Sequence, residues 1–282
     1  MGIATSTLTD KNSNTPPFSI SNQPLIELQG VVRDVSGAKE TTNRLLNNVS
    51  WQLQQGQRVG VISPSIREAH AFLDCAAGVV PVQNGQVTIH CNASWPLGAR
   101  GGLLNSLTGR QNAALLQGIY GHAGQRNHDL DVIQTIASLE DGFFDKPLRV
   151  YHKFMRTRFY LAVSLAFDFD AYIIPQIFAL KANEKSERFL RFQSALNSRT
   201  EDKPLIMANK DFSILQQYCE DGIVLHKGSI VYEGKIDECH QWYLSNIKDA
   251  PIDDSIDNEI EDESPSLPEN DDPDDGDNAA LW

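Results

Sequence analysis

The sequence predicts an α/β domain built on a mostly parallel β-sheet. Two short apolar runs, 171–174 (AYII) and 204–208 (PLIMA), have the length and composition of strands that are buried on both faces. A third run, 58–62 (RVGVI), leads directly into a tight loop and a helical pattern that ends near residue 78. Helical segments separate these runs, and such alternation of strands and helices is typical of a parallel sheet.

The remaining elements follow in chain order. Residues 1–24 are rich in Ser, Thr, Asn and Pro without periodicity, which predicts a disordered segment before the first strand at 25–28. Apolar and polar residues alternate over 45–53, and a Gln-Gly-Gln turn then precedes the 58–62 strand. Residues 110–165 are mainly helical in pattern, and the strands 222–225 and 229–232 form a hairpin around His226-Lys227-Gly228. We expect one folded domain over 25–247.

The C-terminal segment 248–282 is acidic. The 282-residue chain has a net charge of −13, yet residues 249–282 alone hold 14 Asp and Glu and no Lys or Arg, so the rest sums to about +1. Such a segment cannot bury enough apolar surface to fold alone, and we expect it to be disordered. The rest of the chain is nearly neutral, so its net charge implies no basic face that would bind nucleic acid. Two interpretations of this C-terminal segment are possible: it recruits a basic partner, or it only keeps the protein soluble.

Other features limit the class of protein. The four cysteines lack metal-type spacing, which indicates reduced thiols in a reducing compartment and no metal site. No run approaches 18 apolar residues and no signal peptide opens the chain, so we expect membrane contact only through a partner.

The segment 59–78 (VGVISPSIREAHAFLDCAAG) has the layout of a nucleotide phosphate-binding loop without its binding residues. In the pattern G-x-x-x-x-G-K-[ST], backbone N–H groups surround the phosphates, the Lys contacts them and the Ser or Thr holds magnesium. The corresponding residues differ throughout. Ser63, Ile66 and Glu68 stand at glycine positions, Arg67 lies between the last two, Ala69 replaces the Lys and His70 the Ser or Thr.

A longer pattern provides the context. Ser94-Trp95-Pro96-Leu97-Gly98, then Gly101-Gly102-Leu103 and Ser106-Leu107-Thr108-Gly109-Arg110-Gln111-Asn112, closely resemble the "SWP-G … GG … SLTGREN" run of ATP-binding subunits of ABC exporters for capsular and related polysaccharides. Further matches keep the family's order as far as residue 246. The resemblance implies an ABC-type P-loop NTPase fold, with a parallel core sheet, an N-terminal antiparallel β subdomain and a helical subdomain.

The resemblance also locates the positions that carry chemistry in the family. The adenine-stacking aromatic falls at Val35 and the Q-loop glutamine at Leu104, which has no hydrogen-bonding side-chain atom. The signature "SSGM" falls at His152-Lys153-Phe154-Met155, where a Phe at the Gly position obstructs close backbone approach. The Asp-Glu pair of the Walker B strand has become Pro175-Gln176, and the switch histidine has become Lys210.

These changes together predict a pseudo-ATPase that works as a structural or regulatory component of polysaccharide export. No cofactor or metal is expected, although a helix starting near Ser65, with Arg67 and His70 beside it, leaves weak ATP binding open. Two alternatives are a functional ATPase subunit and an interaction scaffold unrelated to transport. The implied partners are a transmembrane permease or an active ATPase subunit, in a homodimer or heterodimer, at the cytoplasmic face of a bacterial inner membrane.

Overall fold

A computed structural model describes residues 23–36, 42–122, 124–176 and 187–247 of the protein. Within these ranges the strands are β1 (Ile26–Ser36), β2 (Thr42–Leu53), β3 (Arg58–Ile62), β4 (Asn84–Ile89), β5 (Tyr172–Ile174), β6 (Leu205–Ala208), β7 (Asp221–His226) and β8 (Ser229–Lys235). The helices are α1 (Ile66–Ala76), α2 (Gly109–Tyr120), α3 (Arg126–Ala137), α4 (Lys153–Ala166), α5 (Glu187–Thr200), α6 (Phe212–Tyr218) and α7 (Ile236–Asn246). The two predicted disordered ends, 1–24 and 248–282, lie almost wholly outside the described residues.

The larger sheet has five strands in the order β5-β6-β3-β7-β8. The first four are parallel, and β8 pairs antiparallel with β7 as the predicted hairpin. Every residue of β5 and β6 is buried, which explains their continuous apolar sequences. The expected parallel core sheet is therefore confirmed.

The smaller sheet is antiparallel and has the strand order β2-β1-β4. It packs on α1, where the Trp51 ring of β2 meets Phe72 edge-on with centroids 5.3 Å apart. Strand β4 has only a weak sequence signal, because its first three residues are the exposed Asn, Gly and Gln and only Val87 and Ile89 are apolar. Its pairing with β1 is what makes it a strand.

Helices α2, α3 and α4 form the helical subdomain, and the Ser94-Trp95 segment joins it to the core sheet. The buried Ser94 Oγ accepts a hydrogen bond from the Ile173 N–H of β5 at 2.9 Å. The Trp95 Nε1–H donates to Ser164 Oγ of α4 at 2.9 Å, and Ser164 donates in turn to the Tyr160 carbonyl. The segment that carries the family resemblance is thus a structural connection between the two parts.

Among the described residues, no helix is long and apolar enough to cross a bilayer. The four cysteines form no disulfide, and Cys75, Cys219 and Cys239 are buried. Burial raises the pKa of the Cys75 and Cys219 thiols to about 12. These side chains are therefore apolar core residues at neutral pH.

Candidate functional site

Three of the predicted site positions meet at the carboxyl edge of the core sheet. Strands β5, β6 and β3 are parallel neighbours, with Ile174 opposite Met207 and Met207 opposite Gly60. The residues that follow these strands therefore lie side by side. They are Pro175-Gln176 after β5, Asn209-Lys210 after β6 and Ser63 after β3. In open α/β sheets this edge is where ligands bind.

The loop after β3 contains only three residues, because α1 already begins at Ile66. Ser65 caps the helix: its Oγ accepts from the Glu68 N–H at 3.3 Å, and its carbonyl accepts from the Ala69 N–H at 3.2 Å. Ser63 Oγ accepts from the Ser65 N–H at 3.1 Å. Positions that would belong to a glycine-rich phosphate loop are thus in the first helical turn, and several of their N–H groups are engaged within the protein.

Glu68 places a carboxylate in this first turn. Burial raises the pKa of its carboxyl, and the nearby backbone of Gly228, in the β7–β8 hairpin, opposes that rise. The Glu68 Oε2 atom is buried and accepts no hydrogen bond from the described residues. A carboxylate at a helix N-terminus competes with any bound anion for the positive end of the helix.

The residue at the predicted position of the phosphate-binding lysine lies in the core. Ala69 is 5 % exposed and belongs to the same apolar cluster as Phe72 and Leu73. Arg67 and His70 beside it are half-buried. A methyl group in the core can neither contact a phosphate nor balance its charge, so Ala69 supplies no cation at this position.

The backbone of Leu104, at the predicted Q-loop position, is held by hydrogen bonds, whereas its side chain is exposed. Asn112 of α2 accepts from the Leu104 N–H at 2.7 Å and donates to its carbonyl at 2.9 Å. The Leu104 side chain is 47 % exposed. The loop is therefore held in place, but the residue it presents has no hydrogen-bonding atom.

The signature position lies at the start of α4. His152 is the N-cap residue and makes no side-chain capping bond, while Lys153 is the first helical residue. Phe154 is 75 % exposed, and its ring centroid is 6.4 Å from that of His152. Met155 is buried in the helical subdomain. This helix start therefore presents an aromatic and basic surface at the predicted signature position.

The turn after β6 is organised by Asp211. Its carboxylate caps α6 by accepting from the Ser213 N–H at 3.0 Å and from the Ser213 hydroxyl at 2.6 Å. Asn209 Oδ1 accepts from the Asp211 N–H at 2.8 Å. Lys210 is exposed, and both Pro175 and Gln176 are half-buried. Asp211 thus has a structural role as a helix cap.

Sequence reasoning did not foresee two contacts of this region, Gly228 on Glu68 and Asn112 on Leu104. The Asn112 contact had a signal, since Asn112 closes the "SLTGRxN" run that resembles the family. The Gly228 contact had none, because 160 residues separate the hairpin from α1.

This architecture defines the class of protein: its fold is that of an ABC ATP-binding cassette. A dimeric ATP-binding cassette in a post-hydrolysis state bound to ADP and Pi superposes with a TM-score of 0.60 and 17% identity over 75% of this chain and 98% of its own. An ATP-binding subunit of an ABC transporter gives a TM-score of 0.60 at 14% identity, covering 78% of this chain and 93% of that one.

Sequence comparison narrows the relationship to polysaccharide export. The capsule polysaccharide export ATP-binding protein CtrD of Neisseria meningitidis is 25% identical over 71% of this chain and 90% of its own length. The polysialic acid transport ATP-binding protein KpsT of Escherichia coli is 27% identical over 65% of this chain and 82% of its own length. The teichoic acids export ATP-binding protein TagH of Listeria innocua is 24% identical over 72% of this chain and 60% of its own length. No protein-family model matches the chain. The chain is thus homologous to ATP-binding subunits of polysaccharide exporters.

Proposed function

We propose that this protein is a pseudo-ATPase, a non-catalytic homologue of polysaccharide-exporter ATP-binding subunits with a structural or regulatory role in capsular or cell-surface polysaccharide export. The observation that carries the proposal is the side-chain chemistry of three site positions. Ala69, Leu104 and Pro175 carry no polar side-chain atom, and they stand where the family has the phosphate-binding Lys, the Q-loop Gln and the magnesium-positioning Asp.

These losses affect different parts of one mechanism. Phosphoryl transfer depends on a Lys, a metal ion and backbone N–H groups that act together on the transferred phosphate. Gln176 stands where a Glu would polarise the attacking water, and a neutral amide is a poor base. Loss of a general base alone lowers a rate by about 10²- to 10⁴-fold. With the Lys and metal ligand changed as well, no single compensating side chain restores the reaction.

The retained framework supports a non-catalytic role. The Ser94-Trp95 connection keeps the helical subdomain attached to the core sheet, and the hydrogen bonds of Asn112 fix the loop before α2, so the surface that would face a partner persists without the chemistry. The partners proposed are a transmembrane permease subunit or an active ATPase subunit, at the cytoplasmic face of a bacterial inner membrane. In a dimer with an active subunit, the partner's phosphate site would face His152, Lys153 and Phe154, so that both composite sites would be impaired.

The competing function is a working ATPase that relies on Arg67 and His70, the basic residues of the first two turns of α1. Phosphate release by the full-length protein with Mg–ATP separates the two. We expect the natural protein to release phosphate no faster than its Arg67→Ala/His70→Ala double variant. A rate several-fold above that variant would support the ATPase and overturn the proposal.

A further inference from the structure

A cationic face surrounds the start of α4. It consists of Arg100, Arg149, His152, Lys153 and Arg156. The Arg156 Nη2 group donates to the Arg149 carbonyl at 3.3 Å, and the Arg156 N–H donates to the His152 carbonyl at 3.1 Å. Arg100, in the loop before α2, lies in the same region as Arg156. Both guanidinium groups are close enough to Tyr160 to oppose the rise that burial causes in the pKa of its hydroxyl.

This face also carries exposed apolar side chains. Phe154 is 75 % exposed, and Val150 is 50 % exposed. Large apolar groups grouped with cations on a surface are typical of a contact region. The cationic face is therefore amphipathic, and an occupant that matches it carries both negative charge and an apolar group.

The position of these cations conflicts with the local electrostatics of the helix. The first turn of α4 contains no acidic residue, and Lys153 and Arg156 lie next to the positive end of the helix dipole. Cations at this end destabilise a helix, whereas an anion stabilises it. The described ion pairs near this helix are those of Arg110 with Asp145 and of Arg158 and Arg188 with Glu140, and they do not include Arg100, Arg149 or Arg156.

We propose that the cationic face is the docking site of the chain's own C-terminal segment, residues 249–282. This segment holds 14 carboxylates and no Lys or Arg, and it ends in Leu281-Trp282. Its charge complements the arginines and Lys153, and its terminal apolar pair complements Phe154 and Val150. The proposal is independent of the proposed function, because it rests on the charge and shape of this surface alone.

The length of the segment permits the contact. The described chain ends at Ile247, so 35 residues follow it. Such a length spans at most about 120 Å, against a radius of gyration of about 17 Å for a folded domain of this size. The segment can therefore reach the cationic face of its own chain or of a second copy.

Carbodiimide cross-linking of the full-length protein tests the docking, because it joins a lysine to a carboxylate in direct contact. We expect Lys153 to be linked to carboxylates of 249–282 in low salt, and the exposed Lys227 of the β7–β8 hairpin to serve as the internal reference. Arg149→Ser/Arg156→Ser removes two cations and leaves the reporting lysine, and should lower the Lys153 product about tenfold, as expected for the loss of two exposed ion pairs. Arg188→Ser/Arg191→Ser, two exposed arginines of α5, should not.

Loss of the Lys153 product in about 0.5 M salt supports an ionic contact, since screening shortens the reach of exposed charges. A mixture of isotopically light and heavy chains shows whether the contact is within one chain or between two. Equal linkage of Lys153 and Lys227, or no effect of the Arg149→Ser/Arg156→Ser variant, would overturn the proposal. So would Arg149-dependent sedimentation with anionic phospholipid vesicles in the absence of any Lys153 product, which would assign the face to a membrane.

Discussion

Asn112 holds Leu104 in place through a pair of hydrogen bonds, with its Oδ1 2.7 Å from the Leu104 nitrogen and its Nδ2 2.9 Å from the Leu104 oxygen. The same Nδ2 group also lies within 3.1 Å of the Leu107 and Thr108 carbonyl oxygens. Asn112 is fully buried, whereas the Leu104 side chain points to solvent. The backbone of this loop is thus held by a buried side chain, while the residue at the predicted Q-loop position is exposed.

The Asn112 clamp should contribute strongly to stability. Asn112→Ala removes a fully buried side chain and its hydrogen bonds to the partly buried Leu104 N–H and Leu107 carbonyl, which should lower the free energy of unfolding by about 1–3 kcal/mol. Leu104→Gln is the matched control, because it changes only an exposed side chain and should stay within about 0.5 kcal/mol. Urea unfolding of both variants measures the difference, and equal midpoints would contradict the clamp.

The Trp95–Ser164 hydrogen bond should matter for the attachment of the helical subdomain. Ser164 Oγ accepts from Trp95 Nε1 at 2.9 Å and from the Gly98 N–H at 3.2 Å, so Ser164→Ala leaves two partly buried donors without this acceptor. We expect a loss of about 1–3 kcal/mol. Thr157→Ala on the outer part of the same helix, where the hydroxyl donates to the Lys153 carbonyl, should cost less than half of that. Thermal unfolding followed by circular dichroism compares the two.

Arg58 should be difficult to replace even by lysine. Its guanidinium donates to the carbonyls of Tyr218 at 2.8 Å, Thr200 at 2.6 Å and Lys203 at 3.0 Å, and so joins three segments at the amino edge of the sheet. A lysine has no planar fork to reach three acceptors. Arg58→Lys should lower the free energy of unfolding by about 2 kcal/mol. An unfolding midpoint equal to that of Arg44→Lys, an exposed arginine of β2, would contradict this.

Asp74 should make stability depend on pH. Burial raises the pKa of this carboxyl to about 6, with Arg33 opposing the rise. The ordinary pKa in an unfolded chain is about 3.9. Since the folded state disfavours the charged form, the cost is absent below that value, grows through the window between the two pKa values and is complete above pH 6.

Asp74→Asn removes this cost and should raise the free energy of unfolding at pH 7.5, by roughly 1–3 kcal/mol. The gain should be smaller at pH 5, where part of the cost has already disappeared. Asp131→Asn, at an exposed position of α3, serves as the control for the loss of one negative charge. A gain that is the same at both pH values would contradict the assignment to Asp74.

The core of the fold is predictable because its strands are buried on both faces. Runs such as Arg58–Ile62 and Leu205–Ala208 are short and apolar and are bounded by loop residues, which favours buried strands, and the structure confirms them. Strand β4 was not predictable, since its pairing with β1 and not its own composition makes it a strand. The bounds of α7 were also not assigned, although Ile236 and Cys239 are its buried residues.

The candidate site was predictable in position and only partly in structure. The order of the motifs places Pro175, Lys210 and Ser63 after three strands, and parallel pairing brings them together. A helix start near Ser65 was also expected and is confirmed. The contact of Glu68 with Gly228 depends on how a distant hairpin packs against α1, and no local pattern contains that information.

The most direct test of the pseudo-ATPase account is calorimetric titration of the full-length protein with Mg–ATP, beside a variant with a restored phosphate loop. The restored loop carries Ser63→Gly, Ile66→Gly, Glu68→Gly, Ala69→Lys and His70→Ser. These changes remove the carboxylate and supply the glycines, the lysine and the magnesium-binding hydroxyl of the pattern.

We expect no heat of binding from the natural protein at millimolar nucleotide and clear binding by the restored variant. That pair of results would show that the loop residues are what the natural site lacks. Micromolar affinity of the natural protein would contradict the account, and would direct mutagenesis to Arg67, His70 and Lys210.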